Sequence, residues 1–325
     1  MKEIAINAKG LTKKYGDFTA VDHIDFQVEK GTMIGFLGVN GAGKSTSINM
    51  MTTILKPTEG TCEICGYTLG RDDMEIRNKI GIVYQQNCLD DILTVKENLL
   101  TRGIIHGSSK AEALKRVEEL TKILKMDEIL DRRYQKLSGG QKRRAEIAAA
   151  LMHEPEILFL DEPTTGLDPA TRVDVWNAIE DIKNTKQMTV FLTTHYMEEA
   201  AAADNIIVID HGRIMATGTP FELKEQYAKD KIKLYLSGDC SGNMNLGIVN
   251  ITQDAILDGY KVIPTNYGLE IEVDSTLKAP KILSGLCEKY GEIITGTEII
   301  LGNMDDVFLA VVGTKLNDDN ENNGR

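Results

Sequence analysis

The stretch of sequence that decides the fold is Gly38-Val39-Asn40-Gly41-Ala42-Gly43-Lys44-Ser45-Thr46. It fits the pattern G-x-x-x-x-G-K-[ST], a loop whose glycines let the backbone bend so that successive N–H groups point at phosphate oxygens. Lys44 supplies a positive charge for the phosphates, and Ser45 supplies a hydroxyl for Mg²⁺. A continuous apolar run over residues 33–37 precedes the loop and a helical period follows it, which is the context that this motif requires. All nine residues are therefore predicted to bind a nucleoside triphosphate, although kinases, GTPases and motors share such a loop.

The composition is that of an ordinary globular protein with room for two domains. The chain has 325 residues, of which 42% are hydrophobic and 26% are charged. A net charge of −12 and a pI near 5.0 argue against a nucleic-acid platform and against direct docking on anionic lipid. No apolar run approaches the roughly 18 residues that span a bilayer, and the charged N-terminus leads into no signal segment. Any action at a membrane would therefore require another chain that holds this one there.

Five cysteines lie at positions 62, 65, 88, 240 and 287, an odd and unclustered set that is typical of a reducing cytosol. Cys62 and Cys65 form a C-x-x-C pair, but the sequence around them reads as a short strand, on which residues three apart face opposite sides. No second Cys or His pair lies nearby in the sequence to complete a zinc site. We therefore predict two ordinary cysteines here rather than a metal or redox site.

Strands and helices alternate along most of the chain. Strands are predicted over residues 4–8, 24–28, 33–37, 62–67, 80–84, 157–160, 190–193 and 206–209. Between about 88 and 150 the pattern changes to helices, and two capping-box signatures, Thr94–Glu97 and Ser109–Glu112, each open a helix. The alternation implies a mostly parallel sheet, so the predicted fold class is α/β with a helical insertion.

A second stretch, Leu137-Ser138-Gly139-Gly140-Gln141, narrows the nucleotide-binding class sharply. Together with the phosphate loop, with Ile157–Glu162 and with His195, it forms the ordered motif set of an ATP-binding-cassette (ABC) ATPase, which this sequence resembles over about residues 4–220. The resemblance implies a P-loop NTPase (RecA-like) cassette with an N-terminal antiparallel β subdomain and a helical subdomain over about 88–150. It also implies ATP and Mg²⁺ as cofactors.

Carboxylates and an amide are predicted at the catalytic edge of the sheet. Asp161 and Glu162 end an apolar strand, so both emerge at the carboxyl edge, where α/β folds place ligands. A strand-end Asp beside a phosphate loop holds Mg²⁺, and the resemblance implies that Glu162 polarises the attacking water. The resemblance also implies that a glutamine touches Mg²⁺ and this water. Gln85 and Gln86 both qualify, and Gln85 is chosen because it directly follows the strand over 80–84.

Two further ATP contacts follow from the resemblance. His195 matches the histidine that contacts the γ-phosphate, a role that suits a ring able to donate and accept hydrogen bonds. The alternative is a structural histidine at a helix cap. Tyr15, in Lys14-Tyr15-Gly16, lies where the family stacks an aromatic ring on adenine. The alternative there is an ordinary loop tyrosine.

Ser138-Gly139-Gly140-Gln141 is the most specific of these signals. Ser138 can donate or accept at a γ-phosphate, and the glycines expose N–H groups at the start of the following helix. The resemblance implies that this stretch completes the ATP site of the opposite subunit, so that two copies of the chain sandwich two ATP molecules head to tail. The basic run that follows, Lys142-Arg143-Arg144, is interpreted as a solvated helix face rather than a nucleic-acid contact.

The motifs with ATP chemistry define a predicted cassette over residues 1–230. Residues 231–315 are predicted to form a small α+β accessory domain, and 316–325, rich in Asn and Asp, a disordered tail. Met304-Asp305-Asp306-Val307-Phe308-Leu309 and Thr194–Ala200 both resemble segments of drug-exporter ATPases of the daunorubicin-resistance type.

The resemblance implies the cytoplasmic ATPase subunit of an exporter, held at the inner face of the membrane by a separate ABC-2-type permease that docks near the Gln85 loop. One alternative is a soluble ABC protein of translation or DNA repair, classes that usually carry two cassettes or a long coiled-coil insertion. Another is a catalytically idle cassette, against which the complete motif set speaks. The transported substrate is not encoded in this chain, because its contacts would lie in the permease.

Overall fold

The computed structural model describes residues 3–236, 251–253, 259–266, 268–273 and 278–322, with the backbone alone over 314–322. The chain divides into two compact units, Met1–Thr219 and Pro220–Arg325. Among the helices of these described residues, none combines the length and the apolar character needed to cross a bilayer.

The first unit holds two sheets and a group of helices. In chain order its elements are β1 (Ile4–Tyr15), β2 (Phe18–Glu29), β3 (Met33–Leu37), α1 (Lys44–Met51), β4 (Glu59–Ile64), β5 (Tyr67–Thr68), α2 (Asp73–Lys79), β6 (Ile80–Val83), α3 (Val95–Ile105), α4 (Lys110–Ile123), α5 (Gly139–Ala150), β7 (Ile157–Asp161), α6 (Pro169–Lys186), β8 (Thr189–Thr194), α7 (Met197–Ala200), β9 (Asn205–Asp210) and β10 (Arg213–Gly218). One turn of 3-10 helix, Tyr134–Lys136, precedes α5.

The N-terminal sheet is antiparallel, with strand order β2-β1-β4-β5, which confirms the predicted antiparallel subdomain. β1 and β2 extend beyond the predicted 4–8 and 24–28, because they pair as one long hairpin that closes at Tyr15 and Phe18. The strand predicted over 62–67 is wrong at its end, since Cys65 and Gly66 adopt φ of 50° and 80° and form a turn.

The larger sheet has strand order β10-β9-β3-β8-β7-β6, and its neighbours are parallel except for the antiparallel pair of β9 and β10. Every residue of β3, β7 and β8 is buried, which explains their apolar sequences, since helices and the other sheet cover both faces. The carboxyl ends of β3, β6, β7 and β8 lie at one edge. The phosphate loop, Gln85, Asp161 and His195 all follow or end these strands, so the sheet itself gathers them.

Helices α3, α4 and α5 lie within the predicted helical segment over 88–150. Both predicted capping boxes are confirmed, since Thr94 and Ser109 each accept a hydrogen bond from the backbone N–H three residues on, and the glutamate there returns one. A third capping box, which the sequence reading did not identify, pairs Ser138 with Gln141 at the start of α5. Helix α2 was also missed, because it is short and buries only Ile76.

The second unit is an antiparallel sheet with helices. Its described elements are α8 (Pro220–Tyr227), β11 (Asp230–Leu236), β12 (Lys261–Thr265), β13 (Gly268–Val273), α9 (Ala279–Tyr290), β14 (Ile294–Ile300) and α10 (Met304–Asn322). The strand order is β12-β13-β11-β14, with all neighbours antiparallel. Alternate residues of β11 and β13, such as Ile232, Leu234 and Ile271, form its core with α9. This α+β organisation agrees with the predicted fold class.

The ends of the second unit differ from the sequence expectation. Helix α8 packs against α10, so residues 220–227 belong to this unit although the predicted cassette runs to residue 230. Helix α10 buries Val307 and Val311 and continues to Asn322, into the segment over 316–325 that composition predicts to be disordered. The amino-acid composition of a segment indicates how much apolar surface it can bury. It does not indicate where a helix that begins earlier in the chain will end, so the prediction of disorder did not account for α10. Residues 323–325 lie outside the described part of the chain.

Candidate active site

The phosphate loop joins β3 to α1, and two of its glycines have no room for a side chain. A Cβ on Gly38 would lie 2.5 Å from the carbonyl oxygen of Ile209, and one on Gly43 would lie 2.7 Å from that of Ala20. Gly43 also has φ of 105°, and it begins α1 without a side-chain cap. Among the described residues, the N-cap of α1 thus provides no side-chain hydrogen bond to its first N–H groups, which suits an anion at this helix terminus.

Lys44 is held inside the loop rather than extended into solvent. Its side chain is 4% exposed, and its Nζ donates hydrogen bonds to the carbonyl oxygens of Gly38 at 2.9 Å and Val39 at 3.1 Å. Of the other predicted ATP contacts in the loop, Asn40, Gly41 and Ser45 are exposed, Thr46 is half-buried and Ala42 is buried. The loop thus wraps its own ammonium group and leaves its outer residues accessible to a ligand.

Asp161 and Ser45 meet beside this loop. Ser45 Oγ donates a hydrogen bond to Asp161 Oδ1 at 3.3 Å, and Thr193 Oγ1 donates to the same oxygen at 2.7 Å. Thr193 also accepts a hydrogen bond from the backbone N–H of Glu162 at 3.0 Å. One buried hydroxyl of β8 therefore fixes both consecutive acidic residues at the end of β7.

Glu162 is the centre of the side-chain cluster. Its Oε1 lies 3.3 Å from Lys44 Nζ, and its Oε2 accepts a hydrogen bond from Thr165 Oγ1 at 3.1 Å. Burial alone would raise the pKa of this carboxyl group. The Lys44 charge and the Thr165 hydroxyl, with a further contribution from His195, more than offset burial, so the pKa lies below its ordinary value. The carboxylate is therefore ionised at neutral pH.

Gln85 and His195 also converge on Glu162. Gln85 Nε2 donates a hydrogen bond to Glu162 Oε2 at 3.3 Å. His195 Nδ1 lies 3.4 Å from the same oxygen but is not aligned for a hydrogen bond, and among the described residues this buried nitrogen has no other hydrogen-bond partner. The structure thus brings together Lys44, Gln85, Glu162 and His195, which are far apart in the sequence.

Two sets of predicted ATP contacts lie outside this cluster. Tyr15 ends β1, is 48% exposed, and has Lys13 Nζ 5.2 Å from its ring centroid. Ser138 and Gln141 bond to each other, and in the described part of the chain no hydrogen bond or ion pair links Ser138–Gln141 to the phosphate loop or the carboxylates. A Cβ on Gly140 would lie 2.1 Å from Thr171 Cγ2, so the start of α5 packs closely on α6.

Sequence reasoning missed several polar residues behind the cluster. Thr193 was read only as part of an apolar strand. Glu199, 3% exposed, accepts hydrogen bonds from Thr164 and from Thr194, the latter at 2.6 Å. It therefore ties the segment after Glu162 to the segment before His195. A hydroxyl at the end of a buried strand is the only local signal for such residues.

The interpretation of Lys142-Arg143-Arg144 as a solvated face is wrong. Arg143 is 5% exposed, and Lys142 and Arg144 are half-buried. Helix α5 packs against α3, α6 and β6, so Arg143 and Arg144 donate hydrogen bonds to backbone carbonyl oxygens, and Lys142 lies 3.8 Å from the Asp91 carboxylate.

The oxygen donors beside the phosphate loop fit Mg²⁺ only if nucleotide phosphates supply further ligands. Within the described residues, no group of three or more His, Cys, Asp and Glu side chains could hold a metal ion by itself. Ser45 Oγ and Asp161 Oδ1 are adjacent hard oxygen donors, and Mg²⁺ usually takes one or two such protein ligands and completes its shell with phosphate oxygens and water.

A cavity of about 240 Å³ lies beside the segment that carries Gln85. Tyr84, Cys88 and Arg102 contribute to its lining, together with His106 and His153, whose rings stack with centroids 4.1 Å apart.

Comparisons with known proteins identify the family. The ABC transporter family model matches residues 21–165. The daunorubicin resistance ATP-binding protein DrrA3 of Streptomyces coeruleorubidus is 36% identical over 317 residues, which cover 96% of this chain and 97% of that protein. The linearmycin resistance ATP-binding protein LnrL of Bacillus subtilis is 34% identical and covers 96% of this chain and 100% of LnrL.

Solved structures share the fold of about two thirds of this chain. The cbiO1 protein of Clostridium perfringens, part of the ABC transporter complex cbiONQ, matches with a TM-score of 0.64 and 29% identity over 68% of this chain and 91% of that one. The ATP-binding cassette MJ0796, solved as a dimer with ADP and Pi, matches with a TM-score of 0.60 and 30% identity over 66% of this chain and 98% of that one. Because the sequence similarity extends along nearly the whole chain, this protein belongs to the ATP-binding, ATP-hydrolysing subunits of ABC transporters.

Proposed function

We propose that this chain powers a drug-type exporter as a head-to-tail dimer around two molecules of ATP and Mg²⁺. The observation that carries the proposal is the convergence of Lys44, Gln85 and His195 on one ionised carboxylate, Glu162. The relatives named for daunorubicin and linearmycin resistance support the export role, and the dimeric MJ0796 cassette supports the assembly.

Each residue of the site has a proposed task. Gly38–Thr46 and the N-terminus of α1 bind the phosphates, and Tyr15 stacks on the adenine ring. Ser45, Asp161 and Gln85 hold Mg²⁺, which when bound neutralises charge on the phosphates. These groups place the γ-phosphate next to the carboxylate cluster.

Hydrolysis requires a base for the attacking water. Glu162 accepts a proton from that water, because its side chain is a carboxylate, which is ionised at neutral pH with or without Lys44 beside it. Gln85 orients the water through its amide, and His195 donates a hydrogen bond to the γ-phosphate. Lys44 lies 3.3 Å from the carboxylate, and phosphate oxygens compete for the same ammonium group, so nucleotide binding frees Glu162 to act as a base.

The position of Ser138–Gln141 supports the proposed dimer. This stretch begins α5 and makes no described polar contact with the phosphate loop of its own chain. Its Ser138 hydroxyl and glycine N–H groups suit a phosphate, so we assign Ser138, Gly139, Gly140 and Gln141 to the ATP site of a second copy.

The dimer would close and reopen during the ATP cycle, and a separate permease of the ABC-2 type would be driven by this movement. Ile104 and Ile105 of α3 are both exposed and directly precede His106, which lines the cavity beside Gln85, and a cytoplasmic segment of the permease would dock there. The protein would then lie in the cytoplasm, peripheral to the inner face of the membrane, and a charge of −12 makes nucleic acid an unsuitable partner.

Glu162→Gln tests the assignment. The amide cannot accept a proton, so ATP binding should persist while turnover nearly disappears, and ATP-bound dimers should accumulate. Steady-state ATPase assays and size exclusion with excess ATP measure both effects. Glu118→Gln makes the same chemical change at an exposed position on α4 and should leave turnover unchanged. Wild-type turnover in Glu162→Gln would overturn the catalytic role, and a monomer at saturating ATP would overturn the sandwich.

A further inference from the structure

Arg143 is buried against the backbone of the Gln85 segment. Its Nη1 donates a hydrogen bond to the carbonyl oxygen of Tyr84 at 2.6 Å, and its Nη2 donates to that of Gln85 at 3.3 Å. The side chain is 5% exposed, so these charge-assisted bonds form away from water, where they are strong. Arg143 therefore holds the main chain at the residue whose side chain reaches Glu162.

Glu146 holds the same segment farther along. Its Oε1 accepts hydrogen bonds from the backbone N–H groups of Cys88 at 2.8 Å and Leu89 at 3.1 Å. The hydroxyl of the buried Tyr134 donates to the same oxygen at 2.8 Å. One carboxylate oxygen thus fixes two consecutive peptide groups to α5 and to the turn that precedes it.

The two side chains act from one face of α5. Residues 143 and 146 are three apart, so they are neighbours on the helix surface. Together they fasten the backbone from Tyr84 to Leu89 at both ends, and the same helix starts at the Ser138 cap. The Gln85 segment and the start of α5 are consequently parts of one hydrogen-bonded body.

We propose that Arg143 and Glu146 are positioning residues, which set the distance between the Gln85 amide and the Glu162 carboxylate by clamping the Gln85 segment to α5. The proposal rests on the catalytic roles of Gln85 and Glu162 given above. Because α5 also carries Ser138, the clamp makes the Gln85 of one ATP site move together with the residues that reach the other ATP site of the dimer.

The clamp matters for rate because the bond that it sets is already long. Gln85 Nε2 lies 3.3 Å from Glu162 Oε2, near the outer limit of a hydrogen bond. A displacement of about 1 Å at a reacting group can lower a rate by about a hundredfold. Loss of the clamp should therefore appear in kcat. The phosphate loop should keep its affinity for ATP, because within the described residues it makes no hydrogen bond or ion pair with Arg143 or Glu146.

The test is a double-mutant cycle on ATP turnover. Arg143→Gln and Gln85→Ala should each lower kcat by about tenfold or more, and ATP affinity should stay within about twofold. Since Arg143 acts through Gln85, adding Arg143→Gln to Gln85→Ala should lower kcat by less than about twofold further. Arg143→Lys, which keeps one charged donor, should recover part of the lost rate.

Arg144→Gln is the matched control, because Arg144 lies on the same helix and, within the described part of the chain, donates only to the carbonyl oxygens of Leu124 and Lys125. It should leave kcat near wild type, and thermal unfolding of all variants shows whether each is folded. Glu146→Gln keeps the accepting oxygen and should retain more activity than Glu146→Ala.

The outcomes distinguish a failure of the clamp hypothesis from a failure of the proposed role of Gln85. Independent, multiplying losses from Arg143→Gln and Gln85→Ala, or equal losses from Arg143→Gln and Arg144→Gln, would overturn the clamp. Wild-type turnover in Gln85→Ala would instead refute the proposed role of Gln85 itself.

Discussion

Glu162 occupies a left-handed backbone conformation, with φ of 45°, that non-glycine residues seldom adopt. Such a conformation costs free energy and persists only where the surroundings determine it. Here the Thr193 hydroxyl accepts from its N–H, and Lys44 and Thr165 hold its carboxylate. The backbone of this residue is therefore fixed before any ligand arrives, which is what a base that must meet a water molecule needs.

Thr193→Val tests how much of that order comes from one hydroxyl. Valine has nearly the same shape, but it would leave the Glu162 N–H without its partner, and Asp161 Oδ1 would keep the longer bond from Ser45 and lose the shorter one. Each unsatisfied buried group costs about 1–3 kcal/mol, so the free energy of unfolding should fall by about that amount. Turnover should fall as well, because both acidic residues lose their common anchor.

Denaturant unfolding and steady-state ATPase assays measure these two effects. Thr193→Ser keeps the hydroxyl and should stay close to wild type in turnover. A valine variant with wild-type stability and turnover would show that Thr193 has no part in placing Asp161 and Glu162.

The site residues that could be predicted from the sequence are those that belong to a short sequence motif. The phosphate loop, Asp161 and Glu162 lie in short motifs beside apolar strands, and the structure places them at one edge. Thr193 and Arg143 have roles that no short sequence motif indicates. Their partners, at 161 and 84–85, are distant in sequence and become neighbours only when the sheet and α5 pack.

At the level of elements, predictability follows how completely each element is buried. β3, β7 and β8 are covered on both faces and therefore read as unbroken apolar runs. The ends of β1 and β2 are half exposed and hold polar residues, so their pattern does not show that they remain paired. The turn after β4 depends on the φ of Cys65, which no composition rule indicates.

The start of α5 carries a prediction about which subunit it serves. Ser138→Arg should damage the ATP site of the partner rather than its own, and Lys44→Ala should damage its own. A dimer that mixes these two chains has one site with both defects and one intact site. Mixtures should therefore show more ATPase activity than either variant alone.

Titration of one variant with the other provides the measurement. If activity never exceeds that of the two separate variants at any ratio, while size exclusion shows that mixed dimers form, Ser138 acts in its own chain. Mixing each variant with more of itself is the control for concentration effects.

For the whole molecule, the boundary between the two units is a finding that motifs could not supply. The last residue with a proposed ATP task is His195, and motif reading extended the cassette to 230 because nothing in the pattern marks an end. The structure assigns α8 to the second unit, where it packs against α10, so the first unit ends at Thr219.

Truncation after Thr219 should therefore leave a folded protein that binds ATP with near-normal affinity, because every proposed ATP contact lies within the first unit. Export in cells should fall, because this chain lacks the second unit. Truncation after Lys229 is the informative comparison. That chain would keep α8 without α10, expose Leu223, which is buried in the full chain, and so aggregate more readily. Circular dichroism, light scattering and nucleotide-binding assays on both chains give the measurement. If the chain that ends at Thr219 retains its secondary structure but loses ATP binding, the second unit takes part in the ATP site, and the assignment of that site to the first unit alone is wrong.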